Sequence, residues 1–280
     1  MASWFGSSYI QPIRYNNNLP PAPEPVVFNP LELSGCVLWL DANDSDSVNV
    51  VQDPGGNLNR VLKWFDKAQP SNRNYYTHIG SPSGSGLYNT HYMNQLRTVY
   101  FQPNTAMDHE GGGVAFNFQD RTFFAVIKPL TDLTGPSGPI LNVYNGFYDT
   151  GAMNVGIAYS LGKYQYVMCE NGIQCGVIFD MSNNPLNNRV LFSITQSSTD
   201  LSGNNGTYDT ISQPLTASFL ASSYFTGKTQ YVLNDPNKAV AQDIAEIIMY
   251  NRVLLKSERQ QVLDYLADKW GAQGPTPPTI

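Results

Sequence analysis

Charge is what this chain has least of. Asp, Glu, Lys and Arg together make up 14% of its 280 residues, against roughly 25% in an average soluble protein. The 16 Lys and Arg are scattered, and 22 Asp and Glu leave a formal net charge of -6. A grip on a nucleic-acid backbone needs several cations on one face, so no nucleic-acid partner is expected. Cysteine is scarce too: Cys36, Cys169 and Cys175 are odd in number and too few for a disulfide framework. The three histidines, His78, His91 and His109, stand far from any cysteine pair, which leaves no zinc-ligand spacing. No apolar run approaches the roughly 18 residues that span a bilayer. The opening MASWFGSSYIQPIRY lacks the basic-then-apolar pattern of a signal peptide. Synthesis in the cytoplasm with reduced thiols is the expectation.

Glycine (23), proline (19), tyrosine (17) and phenylalanine (13) are plentiful. That mixture suits many short strands joined by turns and suits a long-helix protein poorly. Cys36 to Leu40 is an apolar run that stops at Asp41, as a buried strand leaving the core would. Thr122 to Lys128 (TFFAVIK) is dense in β-formers and closed by Pro129. Arg189 to Gln196 alternates, with Val190, Phe192 and Ile194 on one side. Further strands are expected at 60–65, 99–102, 114–118, 140–144, 154–159, 164–169, 177–179, 215–219, 230–233 and 244–250. The sequence therefore predicts an all-β antiparallel sandwich of two sheets.

Residues 1–30 and 272–280 differ in composition from this body, residues 31–271. The first block contains the run LPPAPEP, and the last residues read GPTPPTI. Proline fixes φ and removes a donor, so both stretches are expected to be extended. Trp4, Phe5, Tyr9, Ile10 and Tyr15 make the amino-terminal block more apolar than a linker requires. Two readings fit it: a disordered leader, or an arm that orders along a partner with those side chains as anchors.

The last stretch of the body, QDIAEIIMYNRVLLKSERQQVLDYLADKWG, predicts an apolar strand, a turn at Asn251 and Arg252, and one short helix. Ser257 followed by Gln260 has capping-box spacing. Val262, Leu263, Leu266 and Trp270 recur at helical spacing, and Gly271 ends the helix.

LSGCVLWLDANDSDSV, VLKWFDKAQPSN, TFFAVIKPL and the closing strand-turn-helix together resemble the landmarks of a concanavalin A-like domain. The branch is the laminin-G-like or pentraxin-like jelly roll of bacterial surface proteins and large DNA viruses. The likeness runs over residues 31–271; from about 131 to 240 it is one of pattern only. It implies two curved antiparallel sheets with the final helix beside them. Members bind carbohydrate or protein, and some coordinate calcium; others are purely structural. The short leader and Pro-rich ends are similar to those of a virion component. The expectation is a non-enzymatic minor capsid or capsid-associated protein, located in the virion, whose partners are other capsid or virion proteins. The alternative is a lectin-like module that binds carbohydrate on a host or on a glycosylated coat.

Candidate sites follow from residue chemistry. Asp41, Asn43, Asp44 and Asp46 offer oxygen ligands for calcium. Measured as an EF-hand loop from Asp41, however, the sequence has Asp46 where Gly is needed and Gln52 where Glu is needed; an ordinary Asx turn explains it as well. Tyr144, Asn145, Phe147, Tyr148 and Asp149 combine aromatic faces with hydroxyl-bonding groups, as sugar recognition requires. Enzymes of the resembled fold carry Glu-x-Asp-x-Glu on one strand. No glutamate here stands in that pattern, and Glu246 is expected to be a structural carboxylate with a basic partner. No catalytic residue and no cofactor other than calcium is expected.

Overall fold

A computed structural model of the chain describes residues 28–52, 59–68, 75–78, 87–102, 105, 107–110, 120–130, 138–144, 153–160, 163–169, 189–197, 200–204, 211–214, 230–233 and 241–271. Among them the chain is mostly β, with one helix at the end of the described residues. The strands are β1 (Cys36–Asp41), β2 (Val48–Gln52), β3 (Asn59–Phe65), β4 (Tyr75–His78), β5 (Leu87–Met93), β6 (Leu96–Phe101), β7 (Met107–Glu110) and β8 (Arg121–Pro129). They continue as β9 (Gly138–Tyr144), β10 (Met153–Ser160), β11 (Lys163–Cys169), β12 (Val190–Gln196), β13 (Asp200–Asn204), β14 (Ile211–Pro214), β15 (Gln230–Leu233) and β16 (Gln242–Tyr250). The helix α1 spans Lys256–Trp270, and a 3-10 turn covers Pro30–Glu32.

Every described pairing is antiparallel, and the strands join in one hydrogen-bonded path, β11-β10-β9-β15-β7-β4-β3-β5-β6-β16-β8-β12-β13-β14. Two strands fork it. β16 pairs with β8 along one edge, and on the other it meets β6 at Gln242–Ile244 and β1 at Glu246–Tyr250. β3 pairs with β5 at Asn59 and Arg60, with β4 at Lys63–Phe65, and with β2 along its other edge. One hydrophobic core draws on the middle of this path and on the helix, from Leu40, Trp64, Phe101 and Phe124 to Ile247 and Leu266.

All nine residues of β16 are buried, and only Lys128 in β8 is not. Runs such as TFFAV and IIMY suit strands covered on both faces. β12 is likewise buried at Leu191 and Ser193 as well as at Val190 and Ile194, so its alternation does not divide a wet face from a dry one. The register shifts between Ile244 and Glu246 against β8, which interrupts the simple period-two reading of that strand.

The helix begins differently from its sequence signature. Leu255, extended at φ −60 and ψ 155, is the N-cap, which puts Ser257 inside the first turn. Glu258 supplies the reciprocal half of a capping box: its Oε2 accepts the Leu255 N–H at 2.8 Å. Gln260 does not reach back but donates to Asp264 at 2.7 Å. The stripe Val262, Leu263, Leu266 and Trp270 is buried as expected, and Gly271 at φ 57 ends the helix in the left-handed region.

β2, β4, β5, β7, β13 and β14 lie outside the strands the sequence predicted. Asp108, His109 and Glu110 of β7 pair with Thr77, Tyr76 and Tyr75 of β4. Strand propensity depends on the neighbours a strand finds, and such polar strands carry no apolar period. The strands expected at 114–118, 177–179 and 215–219 lie outside the described residues. No described helix is long and apolar enough to cross a membrane, which says nothing of strands.

Candidate functional site

Polar chemistry concentrates where β1, β16 and α1 meet. Alternation along β1 puts Trp39 and Asp41 on one side, and the pairing register sets Asp41 opposite Glu246. On α1, Tyr265 and Lys269 stand at i and i+4, next to Trp270, and so project from neighbouring turns. Four of these side chains, Trp39, Tyr265, Lys269 and Trp270, converge on the Glu246 carboxylate.

Glu246 has no solvent exposure. Its Oε1 accepts from Trp39 Nε1 at 2.7 Å and from the Tyr265 hydroxyl at 2.9 Å. Its Oε2 accepts from Lys269 Nζ and from Trp270 Nε1, both at 2.7 Å. Burial, helped by nearby Asp41, raises the Glu246 carboxyl, while Lys269 and the Trp270 N–H oppose that rise. A carboxylate needs such donors when water is removed. Lys269 Nζ also reaches Asp41 Oδ2 at 2.8 Å. Burial drives the Tyr265 hydroxyl above its ordinary value, and Glu246 adds to this.

The acidic loop continues this network. Lys67 Nζ lies 2.6 Å from Asp44 Oδ2, 3.2 Å from Asp41 Oδ2, and 3.9 Å from the centre of the Trp39 ring. The backbone N–H groups of Asn43 and Asp46 donate to Asp41 Oδ1 and Asp44 Oδ1, the Asx-turn pattern. The Asn43 side-chain oxygen accepts the Arg97 N–H at 3.2 Å. The structure therefore brings Asp41, Asn43, Asp44 and Asp46 into one turn, in which the Asp41 and Asp44 carboxylates face lysine. Among the described residues, no three His, Cys, Asp or Glu side chains are grouped to hold a metal ion.

A second buried acid stands behind β1. Asp66 Oδ1 accepts the N–H groups of Trp39 and Ala68 at 2.9 and 2.8 Å. Burial pushes its carboxyl up to about 7 against those two bonds. Burial and the Asp66 charge push the Cys36 thiol up to about 12, which leaves no thiolate to act as a nucleophile.

Sequence reasoning found the acidic loop and anticipated a cation beside Glu246. It missed Lys67, Tyr265 and Asp66, and it took Trp270 only as a packing anchor. The Tyr265–Lys269 spacing was the available signal. Of the proposed sugar-binding residues, Tyr144 ends β9, while Asn145, Phe147, Tyr148 and Asp149 lie outside the described residues. So do Trp4, Phe5, Tyr9, Ile10 and Tyr15 of the arm. The described chain starts at Phe28, whose ring centre lies 5.7 Å from that of Tyr265. The Tyr250 hydroxyl then donates to the Pro30 carbonyl at 2.9 Å.

In fold class the chain is similar to β-sandwich and jelly-roll-like domains of carbohydrate-active and binding proteins. Among solved structures, the receptor binding domain of botulinum neurotoxin mosaic serotype C/D matches at a TM-score of 0.57 and 14% identity, covering 85% of this chain and 54% of that one. A GH54 arabinofuranosidase matches at 0.54 and 12%, covering 84% and 60%. The Trypanosoma rangeli sialidase in complex with difluorosialic acid matches at 0.52 and 13%, covering 86% and 34%. The chain thus spans 34–60% of those longer chains, and identities this low speak to the fold alone. No protein-family profile and no curated protein matches the sequence.

Proposed function

We propose that this chain is a non-enzymatic structural protein of a virus particle, a two-sheet jelly-roll module held in a capsid by its amino-terminal segment. The observation that carries the non-enzymatic part is the saturation of Glu246. A glycosidase acid or nucleophile must present a carboxyl to the glycosidic bond, whereas both Glu246 oxygens are filled by donors inside the core. Support for the arm comes from its root. Phe28 packs on Tyr265 of α1, and the Pro30 carbonyl accepts from the Tyr250 hydroxyl of β16. Residues 1–27 then supply Trp4, Phe5, Tyr9, Ile10 and Tyr15 as anchors for the coat. Removing residues 1–27 is expected to abolish incorporation into particles while the body still melts cooperatively. Normal incorporation of the truncated chain would sink the arm reading.

The second reading is a lectin-like module that binds carbohydrate. It is favoured by the likeness to a toxin receptor binding domain and to an arabinofuranosidase. Tyr144, Asn145, Phe147, Tyr148 and Asp149 are its candidate contacts. A glycan array probed with folded protein tests it, and silence across the array argues against it.

A further inference from the structure

Lys269 does more than neutralise Glu246. Its Nζ stands 2.8 Å from Asp41 Oδ2 and 2.7 Å from Glu246 Oε2, so one amine faces two carboxyl groups. Side-chain exposure is 18% for Lys269, 7% for Asp41 and 0% for Glu246. The rings of Trp270 and Tyr265 lie 5.2 and 5.3 Å from Nζ and help to keep water away. In water an amine and a carboxyl group are both ionised and do not condense. Burial disfavours charge on either partner.

The surroundings of Asp41 suit attack on its carboxyl carbon. An Nζ in contact with Oδ2 is one C–O bond from Cγ, close to the ~3–3.5 Å of a near-attack pair. Oδ1 accepts the Asn43 N–H at 3.1 Å, a fixed donor where negative charge would develop. Oδ2 also faces Lys67 Nζ at 3.2 Å, a cation beside the oxygen that would leave. Lys67 is the poorer nucleophile. It lies closer to Asp44, at 2.6 Å, and is not among the four donors to Glu246.

We infer that Lys269 and Asp41 condense into an intramolecular isopeptide bond, with Glu246 as the base, and so join α1 covalently to β1. Lys269 first gives one proton to Asp41 across their contact, which leaves an amine and a carboxylic acid. The Nζ lone pair adds to Cγ, and the carbonyl π pair moves onto Oδ1. Glu246 takes a second proton from Nζ and delivers it to the Oδ2 hydroxyl. The Oδ1 pair then returns, the Cγ–Oδ2 bond breaks, and one water departs. The product is an Nζ–Cγ amide; Glu246 ends as it began, and nothing is oxidised or reduced. Burial, ahead of nearby Asp41, raises the Glu246 carboxyl, which suits a group that must take a proton from nitrogen. The step is a single self-modification and turns over no substrate. It closes residues 41–269 into one loop that persists when the chain unfolds.

The test is the mass of the full chain. Folded protein is held at neutral pH, denatured, and weighed by electrospray mass spectrometry. Its mass is expected to fall short of the sequence mass by one water, and trypsin should release one linked pair of peptides carrying Asp41 and Lys269. This measurement needs no variant and decides first: a folded chain that keeps its full sequence mass overturns the bond. A lost water that maps anywhere else overturns it too, and a link from Asp41 to Lys67 overturns the choice of nucleophile. Lys269→Arg keeps the charge but offers no such amine, and should retain the full mass. Glu246→Gln keeps the shape and should form the bond about a hundredfold more slowly, with circular dichroism reporting that it is folded. Closure at the native rate in that folded variant removes Glu246 as the base.

Discussion

Glu246 Oε2 and Lys269 Nζ stand 2.7 Å apart and tie the middle of β16 to the last turn of α1. The pair joins the helix to the sheet by charge where Val262, Leu263, Leu266 and Trp270 join it by burial. Either alone would hold the helix near the strands; the ion pair also fixes its rotation, because a buried carboxylate accepts donors only along its lone pairs.

Removing that carboxylate should cost the domain much of its stability. Glu246→Ala leaves two indole N–H groups, a phenol and an ammonium short of their acceptor. Breaking a buried ion pair costs about 3–5 kcal/mol, and a fall of that order is expected in urea unfolding with an unchanged slope. A loss below about 1 kcal/mol, the size of a surface pair, contradicts the role assigned here.

Asp66 should give stability an unusual pH dependence. An unfolded aspartate titrates near 3.9, whereas burial raises the folded group to about 7. The folded state therefore holds the proton more tightly. Its contribution is fully present below about 4 and is lost as pH rises through 7, on the order of a few kcal/mol in all. Asp66→Asn keeps an oxygen for the Trp39 and Ala68 N–H groups and should flatten the curve between pH 4 and 8. Thermal melts across that range decide it, and an unchanged slope in the variant refutes the assignment.

Calcium should leave the melting temperature where it is. Lys67 and Lys269 already sit on the Asp41 and Asp44 carboxylates, at 2.6 to 3.2 Å. Any ion binding the folded state alone stabilises it by mass action. A melting temperature that climbs with millimolar calcium and falls with chelator would restore Asp41, Asn43, Asp44 and Asp46 as ligands.

Much of the frame was legible in the sequence. The runs around Trp39, Phe124 and Ile247 are apolar on both sides, so they announce buried strands before any partner is known. Val262 to Trp270 keeps helical period and stops at a glycine for the same local reason. The polar strands were not legible, since Tyr75 to His78 and Met107 to Glu110 are strands through pairing with each other. The cap was misplaced by two residues. Serine is the better cap locally, yet Glu258 is held by Arg252, and that pair starts the helix at Lys256.

By itself the sequence determined the β-rich composition, the apolar strands that enter the core, the single closing helix and the low charge. Each follows from local propensity, period or residue count, which need no knowledge of what lies across the fold. Only the tertiary structure decided what the polar residues do. Asp41, Lys67, Glu246 and Lys269 lie far apart along the chain, and their chemistry is set by desolvation and by donors that folding brings within 3.2 Å. Distance in space, which sequence spacing does not encode, made Glu246 a saturated internal anion and left Leu255 facing solvent.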